Sequence, residues 1–223
     1  MKRPYYEAYE ERYRAVHSKG LRWAGDQPTP LVAETAARYC RKNAKILEIG
    51  CGEGRDAIAL LKQGYDLLAT DVSPEAISFC QAAAPEYAER FQRLNCLEDG
   101  HPAHYDMIYA VAVIHMLAED DDRRGFYRFF REHLNPGGVG LICSMGDEAT
   151  ELCSDVTKAF ELQERNHPAG VQRVAATSCR MVSFPTFVRE VNESGLTILE
   201  RGITSAMPDF DSLMYIIVRR SIQ

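Results

Sequence analysis

The sequence predicts an α/β protein built on a doubly wound, mostly parallel seven-stranded sheet with helices on both faces. Short runs rich in β-forming residues alternate with segments whose apolar residues recur at helical spacing, which is typical of parallel strands joined by helices. A glycine-rich turn comes directly after the first of these runs. The last two runs have no helix between them, which predicts an antiparallel strand pair at one edge.

Length and composition favour a folded chain with a full hydrophobic core. The chain has 223 residues, of which 46% are hydrophobic and 26% charged, so disorder is excluded as its dominant state. The net charge of -6 leaves no excess of Lys and Arg for broad binding to nucleic acid or an anionic membrane. We therefore expect a small-molecule partner, no nucleic acid and no membrane. The sequence leaves the oligomeric state open.

The cysteines and the apolar runs indicate a cytoplasmic protein. The longest nearly apolar run, residues 107–117, is shorter than the roughly 18 to 20 residues that cross a bilayer, and the first residues lack the apolar region of a secretory signal. The seven cysteines include no Cys-x-x-Cys pair, so neither a disulfide framework nor a four-cysteine zinc site is predicted. We expect no metal.

The first elements form a strand-turn-helix-strand unit. Thr29, followed by proline, is typical of a helix N-cap, so one helix precedes the first strand. Residues 45–49 predict the first strand, and residues 50–54 a tight turn that leads into a helix. Residues 65–70 predict the second strand, with Asp71 at its carboxyl end.

Three further strands and two helices follow. A helix begins after Ser73, a weak third strand is predicted at 91–94, and a stronger fourth strand at 105–113. Residues 120–134 predict a helix whose arginines form either a solvated face or an anion site. The fifth strand is predicted at 139–143.

Residues 146–180 are irregular and polar, and they are too long for an ordinary connection. We expect an inserted cap there, with a helix of its own near residues 157–164. A helix after Ser183 then leads to the last two strands, at 196–200 and 212–219. The predicted domains are an N-terminal helical extension or lid over 1–28 and a main domain over 29–223 that contains the cap.

The glycine turn is the strongest candidate for a cofactor site. In a doubly wound sheet the ligand lies outside the carboxyl ends of the strands, where glycines let the backbone approach it. A nicotinamide fingerprint requires a third glycine where Arg55 stands, and Glu48 would add a carboxylate beneath a pyrophosphate. A cofactor with a positive head therefore fits better. Asp71 either binds the two hydroxyls of a ribose or is a helix-entry aspartate beside Ser73.

Residues 46–56, Ile-Leu-Glu-Ile-Gly-Cys-Gly-Glu-Gly-Arg-Asp, together with Asp71-Val-Ser, resemble the class I S-adenosylmethionine-dependent methyltransferases. Within that family the sequence looks most like the tellurite-resistance and thiopurine-type branch. The resemblance spans residues 31–143 and implies a Rossmann-like methyltransferase fold. It also implies that a first group of residues cradles the methionine end and a second group holds the ribose and adenine. The first group is Glu48, Gly50, Cys51 and Gly52, and the second is Asp71 and Val72.

The same resemblance implies roles for residues beyond the second strand. Family members commonly place an acid after the third strand to accept from the adenine amino group, and Asn95 stands at that position, with Cys96 next to the ring. Ala110 lies in the stretch that resembles the family's fourth strand, and His115 at its exit, beside the reactive methyl. His115 is either a catalytic group with a pKa near roughly 6.5 or a packing histidine.

The N-terminal stretch is aromatic. Tyr6, Tyr9 and Tyr13 share one helical face, which indicates either packing against the sheet or a lid. In a lid, the aromatic rings and Trp23 would shield a sulfonium, and Arg22 would pair with the cofactor carboxylate.

We therefore expect an S-adenosylmethionine-dependent methyltransferase that acts on a small-molecule acceptor and releases S-adenosylhomocysteine. Two alternatives stay open at this point. One is a module that binds the cofactor without turnover, and the other is a nicotinamide-dependent oxidoreductase. The motifs leave the acceptor open.

Overall fold

A computed structural model describes residues 3–204 and 212–220, which form a seven-stranded sheet, six α-helices and two small sheets. The helices are α1 (Ala8–His17), α2 (Pro30–Tyr39), α3 (Arg55–Lys62), α4 (Pro74–Ala83), α5 (Asp120–His133) and α6 (Phe184–Glu193). The strands are β1 (Lys45–Ile49), β2 (Asp66–Asp71), β3 (Phe91–Arg93), β4 (Tyr105–Val111), β5 (Leu134–Met145), β6 (Leu152–Cys153), β7 (Leu162–Arg165), β8 (Gln172–Ala175), β9 (Arg180–Met181), β10 (Leu196–Thr204) and β11 (Leu213–Arg220).

The large sheet has the order β10-β11-β5-β4-β1-β2-β3. Strands β1 to β5 are parallel, and β11 runs antiparallel to both of its neighbours. The predicted doubly wound sheet and its antiparallel pair are confirmed, with β10 outermost and β11 second from the edge. The strand order reverses between β1 and β4, so the crevice at their carboxyl ends is where a ligand is expected.

Each face of the sheet carries its own apolar core, because successive strand residues point to opposite sides. Along β4, Met107 and Tyr109 join a core with α2, α3 and α4, whereas Ile108 and Ala110 join a second core with α5 and α6. Helices therefore cover both faces, as predicted.

Helix starts follow the predicted caps. Thr29 and Ser73 each stand at an N-cap before proline, and the Ser73 hydroxyl accepts a hydrogen bond from Ala76 N. The Ser183 hydroxyl does the same for Thr186 N at the start of α6. These starts were predictable because the cap residue, the proline and the following apolar spacing are all local in sequence.

Residues 146–180 differ from the prediction. The expected helix near 157–164 is wrong: a 3-10 turn, Val156–Lys158, is followed by β7, which pairs antiparallel with β8. Strands β6 and β9 form a second small ladder. Leu162 on β7 is 58% exposed, so its apolar side chain contributes no buried helix face. Here backbone pairing, rather than burial, decides the local structure.

Strand boundaries also differ in three places, one of them the end of β10, which extends to Thr204 rather than 200. Strand β4 ends at Val111 rather than 113, because Ala112 adopts a positive φ of 60° and turns the chain out of the sheet. Strand β5 begins at Leu134, since its first residue pairs with Tyr105 before the register shifts. The early end of β4 brings His115 into a 3-10 turn at the strand exit.

A buried arginine ties the exit of β4 to both helices on that face. Arg123 of α5 is 2% exposed, and its Nε and Nη2 donate to the Glu190 carboxylate of α6 at 2.9 and 2.6 Å. Its Nη1 donates to the carbonyls of Ile114 and Leu117. The arginines at 124, 128 and 131 on the same helix are exposed, in agreement with a solvated face.

We expect Arg123→Gln to lower the free energy of unfolding by about 3 kcal/mol, because removing one partner leaves Glu190 with an uncompensated, mostly buried charge. Urea unfolding at pH 7.5 measures this, with Arg128→Gln on the exposed face of α5 as the control. Equal stabilities for the two variants would show that the Arg123 ion pair does not tie these elements together.

Candidate functional site

A cavity of about 940 Å³ opens at the carboxyl ends of β1, β2 and β4. Its floor is made by the strand ends and the glycine turn. One wall comes from the N-terminal segment, defined here as residues 3–29, and the other from the cap segment, residues 146–180. Most of the predicted cofactor residues line it, namely Trp23, Glu48, Gly50, Cys51, Gly52, Asp71, Val72, Asn95 and Cys96, and so does His115.

The glycine turn depends on its lack of side chains. Gly50, Gly52 and Gly54 have φ values of 71°, 52° and 79°, in the left-handed region that favours glycine. A Cβ on Gly50 would overlap the Val113 side chain, and one on Gly52 would lie 2.9 Å from the Tyr13 hydroxyl. The turn is therefore closed from above by the N-terminal segment as well as by the sheet.

Glu48 brings an unsatisfied carboxylate oxygen to the cavity. It lies on β1, is 3% exposed, and its Oε2 has no hydrogen-bond partner among the described residues. Burial raises the pKa of this carboxyl well above its usual range, and the negative charge of Asp56 raises it further. A donor or cation from a ligand would relieve this cost.

Asp71 combines both of its predicted roles. Its Oδ1 accepts from Ser73 N and its Oδ2 from Gly52 N, each at 2.9 Å, so it is a helix-entry aspartate that also holds the glycine turn. It lines the cavity while remaining 7% exposed, and burial raises its pKa. Each carboxylate oxygen keeps a further acceptor position, since a carboxylate has about four in all.

Asn95 is more occupied than the sequence indicates. Its Oδ1, the atom expected to accept from adenine, accepts from Leu97 N at 3.1 Å, and its Nδ2 donates to the Tyr6 hydroxyl. The amide therefore shapes the turn after β3 and joins it to the N-terminal segment. Cys96 beside it is a neutral thiol, because burial raises its pKa to about 12.

Two predicted contacts do not reach the cavity wall. Ala110 is fully buried in the sheet core. Along β4, the first residue that lines the cavity is Val111. Arg22 is turned away: its Nη2 donates to the Glu53 carbonyl and its guanidinium lies over the Phe79 ring, 5.5 Å from the centroid. Arg22 does not line the cavity in this structure, so its pairing with a cofactor carboxylate stays a prediction.

Two buried glutamates that the sequence reasoning missed attach the N-terminal segment to the sheet. Glu53, inside the glycine turn, accepts from Trp23 N at 2.7 Å and Ala24 N at 2.8 Å. Glu10 of α1 accepts from the Ser73 hydroxyl and from Glu75 N, at the start of α4. The only local signal was a carboxylate between two turn glycines. The partners lie too far along the chain for any spacing pattern to join them.

His115 is a buried neutral imidazole. It is 4% exposed, and its Nδ1 accepts from Met145 N at 3.3 Å, which assigns the ring proton to Nε2. Burial lowers its pKa to about 4, and the nearby Arg123 charge acts in the same direction. This value lies below the pKa near roughly 6.5 expected from the sequence, and the catalytic role of His115 stays a prediction.

Other kinds of site are not found in the part of the chain that the structure describes. Within residues 3–204 and 212–220, no group of three or more His, Cys, Asp or Glu side chains could hold a metal ion. None of the helices in these ranges is long and apolar enough to span a bilayer.

Comparison with known proteins identifies the domain. Residues 47–139 match the family described as "Methyltransferase domain". The chain is 31% identical over 111 residues to Hemagglutinin 1 of Eikenella corrodens. This match covers 49% of the chain and 37% of that protein. It is 29% identical over 102 residues to "Probable S-adenosyl-L-methionine-dependent methyltransferase TehB" of Haemophilus influenzae, covering 44% of this chain and 35% of that protein. The matches thus span little more than a third of these curated relatives.

Solved structures show the same fold over a longer range. The 1,6-didemethyltoxoflavin-N1-methyltransferase of Burkholderia thailandensis superposes with a TM-score of 0.71 at 17% identity, covering 100% of this chain and 92% of that one. The matched sequence domain contains the glycine turn and Asp71, the same residues that carry the resemblance in the sequence. Residues 47–139 thus match a methyltransferase domain, and the chain has the Rossmann-like fold of solved S-adenosylmethionine-dependent methyltransferases.

Proposed function

We propose that this protein transfers a methyl group from S-adenosylmethionine to a small-molecule acceptor and releases S-adenosylhomocysteine. One observation carries the proposal: a single cavity joins the glycine turn and Asp71 to a polar wall of the cap segment. Cofactor and acceptor would therefore share one enclosed space. The Burkholderia neighbour, whose structure holds 1,6-didemethyltoxoflavin together with S-adenosylhomocysteine, supports an acceptor of this size.

The residues of the floor suit this cofactor. The unpaired oxygen of Glu48 fits the methionine ammonium, and the remaining acceptor positions of Asp71 fit ribose hydroxyls. Glu48 disfavours a pyrophosphate at the same turn, which argues against a nicotinamide dinucleotide. When bound, the cofactor supplies a methyl group activated by its positive sulfur.

The protein's own contribution is enclosure and alignment. The N-terminal segment is attached through Glu10 and Glu53, and it encloses the floor together with the cap segment, so water is kept from the reacting groups. Most of the rate then comes from holding the acceptor in line with the methyl carbon. His115, as a neutral imidazole fixed by Met145 N, orients the strand exit beside that line and does not remove a proton at neutral pH.

We propose a cytoplasmic location and an acceptor that is neither nucleic acid nor membrane. Support comes from the seven cysteines, which are all free thiols in the structure, and from the net charge of -6. Cys51 and Cys80 lie against the Gly52 carbonyl as thiols, as a reducing compartment would keep them.

Calorimetry with S-adenosylmethionine, followed by mass-spectrometric detection of S-adenosylhomocysteine across an acceptor library, tests the function. We expect saturable binding of both compounds and acceptor-dependent product. A folded protein that binds neither compound would overturn the proposal.

We expect Asp71→Ala to weaken binding of S-adenosylmethionine at least tenfold, since each hydrogen bond to a charged acceptor contributes roughly 1.5 to 3 kcal/mol. Asp66→Asn, at the exposed start of the same strand, is the control and should bind normally. Calorimetry gives both dissociation constants, and circular dichroism checks that the variants are folded. An unchanged dissociation constant for folded Asp71→Ala would remove Asp71 from the cofactor site.

The role of His115 can be read from the pH profile of kcat. Because its pKa lies near 4, the imidazole stays neutral from pH 5.5 to 8.5. We therefore expect the pH profiles of kcat for wild type and His115→Asn to have the same shape in this range. Asparagine keeps an acceptor where Nδ1 lies, so turnover at pH 7.5 should stay within a few-fold. An inflection near pH 6.5 that is lost in His115→Asn would assign His115 as the base.

The same histidine should weaken the fold in acid. An unfolded histidine titrates near roughly 6.5 and the folded one near 4, so the unfolded chain binds more protons between these values. Wild type should therefore lose about 2 kcal/mol of unfolding free energy through His115 between pH 7 and pH 5. The stability gap between wild type and His115→Asn should narrow by that amount in urea titrations. A gap that stays constant would contradict the buried neutral form.

A further inference from the structure

We propose that the methyl acceptor carries a carboxylate, which Arg12 binds at the cap side of the cavity with Arg165 nearby. This inference rests on the proposed function and adds the chemical class of the acceptor. It starts from an arginine that the cofactor site does not use.

Arg12 is a buried cation on the wall of the cavity. It lies on α1, is 6% exposed, and lines the cavity. Its Nε and Nη2 donate to the Ala175 carbonyl, and Nη2 also donates to the Ala176 carbonyl and the Thr177 hydroxyl, each of the last two at 2.8 Å. Neutral oxygens of the cap segment thus fix the position of the guanidinium.

No carboxylate neutralises this charge in the part of the chain that the structure describes. Arg12 forms no ion pair there, and its acceptors in the cap segment and the Tyr9 hydroxyl beside it are neutral. Burial lowers its pKa, and the like charge of Arg165 lowers it further. A buried cation without an anion is costly, so a carboxylate that reaches this guanidinium from the cavity would be strongly favoured.

Two aromatic rings keep the guanidinium rigid. Its central carbon lies 4.5 Å from the centroid of Trp23 and 4.9 Å from that of Tyr9. Stacking of this kind suits the flat face of a guanidinium and leaves its edge for hydrogen bonds in the plane. A planar carboxylate matches that edge, because both groups are flat and pair through parallel hydrogen bonds.

The charges divide the cavity into two sides. The cofactor side carries the carboxylates of Glu48, Glu53, Asp56 and Asp71 with one cation, Arg55. The cap side carries Arg12, Arg165 and Lys158 with one carboxylate, Asp155, which already accepts from Thr157 N and its hydroxyl. An anionic acceptor is therefore drawn to the cap side, away from the carboxylates of the floor, although the whole chain is acidic.

The hydrogen bonds of Arg12 separate it from the cofactor side. All of them go to the cap segment, whereas Tyr13, its neighbour on α1, is the residue that reaches Gly52. Arg12 is thus attached to the cap segment, which would contact the acceptor. It is not attached to the glycine turn, which would hold the methionine moiety of the cofactor.

The experiment uses small aromatic and aliphatic carboxylic acids, each paired with its primary carboxamide. Their binding to the whole protein at pH 7.5 is measured by ligand-observed NMR, with and without saturating S-adenosylhomocysteine, and their methylation by mass spectrometry. The first variant is Arg12→Lys, which keeps the positive charge but loses the planar guanidinium that pairs with a carboxylate through two parallel hydrogen bonds. The second is Arg165→Gln, on the exposed part of the cap segment. Arg14→Lys, on the solvent side of α1, is the matched control.

We expect the best acids to bind wild type at least tenfold more tightly than their amides. Arg12→Lys should remove at least tenfold of this preference and Arg165→Gln a smaller part, with S-adenosylmethionine affinity within threefold of wild type. Arg14→Lys should change neither. The loss should appear in KM for the acid more than in kcat.

Two results would overturn the inference. One is equal binding of acids and amides to wild type, and the other is an Arg12→Lys variant that keeps the acid preference but binds S-adenosylmethionine tenfold more weakly, which would assign Arg12 to the cofactor. Failure of the proposed function is a separate result, seen as absence of S-adenosylmethionine binding to wild type. The acid and amide titrations without S-adenosylhomocysteine still test Arg12 in that case.

Discussion

The site depends on a backbone constraint at the end of β1. Three glycines with positive φ reverse the chain within five residues, and only such a turn lets α3 begin directly behind the strand while the Tyr13 hydroxyl comes down on Gly52. The hydrogen bond from Gly52 N to Asp71 then fixes the turn against the end of β2. The floor of the cavity and the position of the N-terminal wall above it therefore both depend on this one turn.

Buried carboxylates do most of the remaining positioning. Glu53 holds the backbone of Trp23 and Ala24, Glu10 reaches the start of α4, and Asp56 accepts from Thr29 N ahead of α2. Each makes hydrogen bonds to backbone N–H groups, which is how a carboxylate can be buried at an acceptable cost. Glu53 and Asp56 thus add carboxyl groups to the cavity wall near the place where a positively charged cofactor head is expected.

Local signals predicted the fold well because they were strong and short in range. The caps at Thr29, Ser73 and Ser183, the glycine turn and the acid at the end of β2 are each readable within a few residues. Residues 157–164 could not be read in this way, since β7 is defined by pairing with β8 and its Leu162 is exposed. His115 was located at the correct strand exit, but its pKa follows from burial and from Arg123, which only the folded chain brings near.

The contact between Arg12 and the cap segment has a consequence for the order of folding. Its hydrogen bonds to residues 175–177 span more than 160 positions in sequence, whereas β1, α3 and β2 pair over a short stretch of chain. Contacts of long separation carry the larger entropic cost of loop closure and form late. The N-terminal segment is made before the cap segment, so the Arg12 side chain lacks its hydrogen-bond acceptors until residues 175–177 have emerged. The floor of the cavity can therefore be complete, with the N-terminal segment already held by Glu10 and Glu53, before the cap segment closes the other wall.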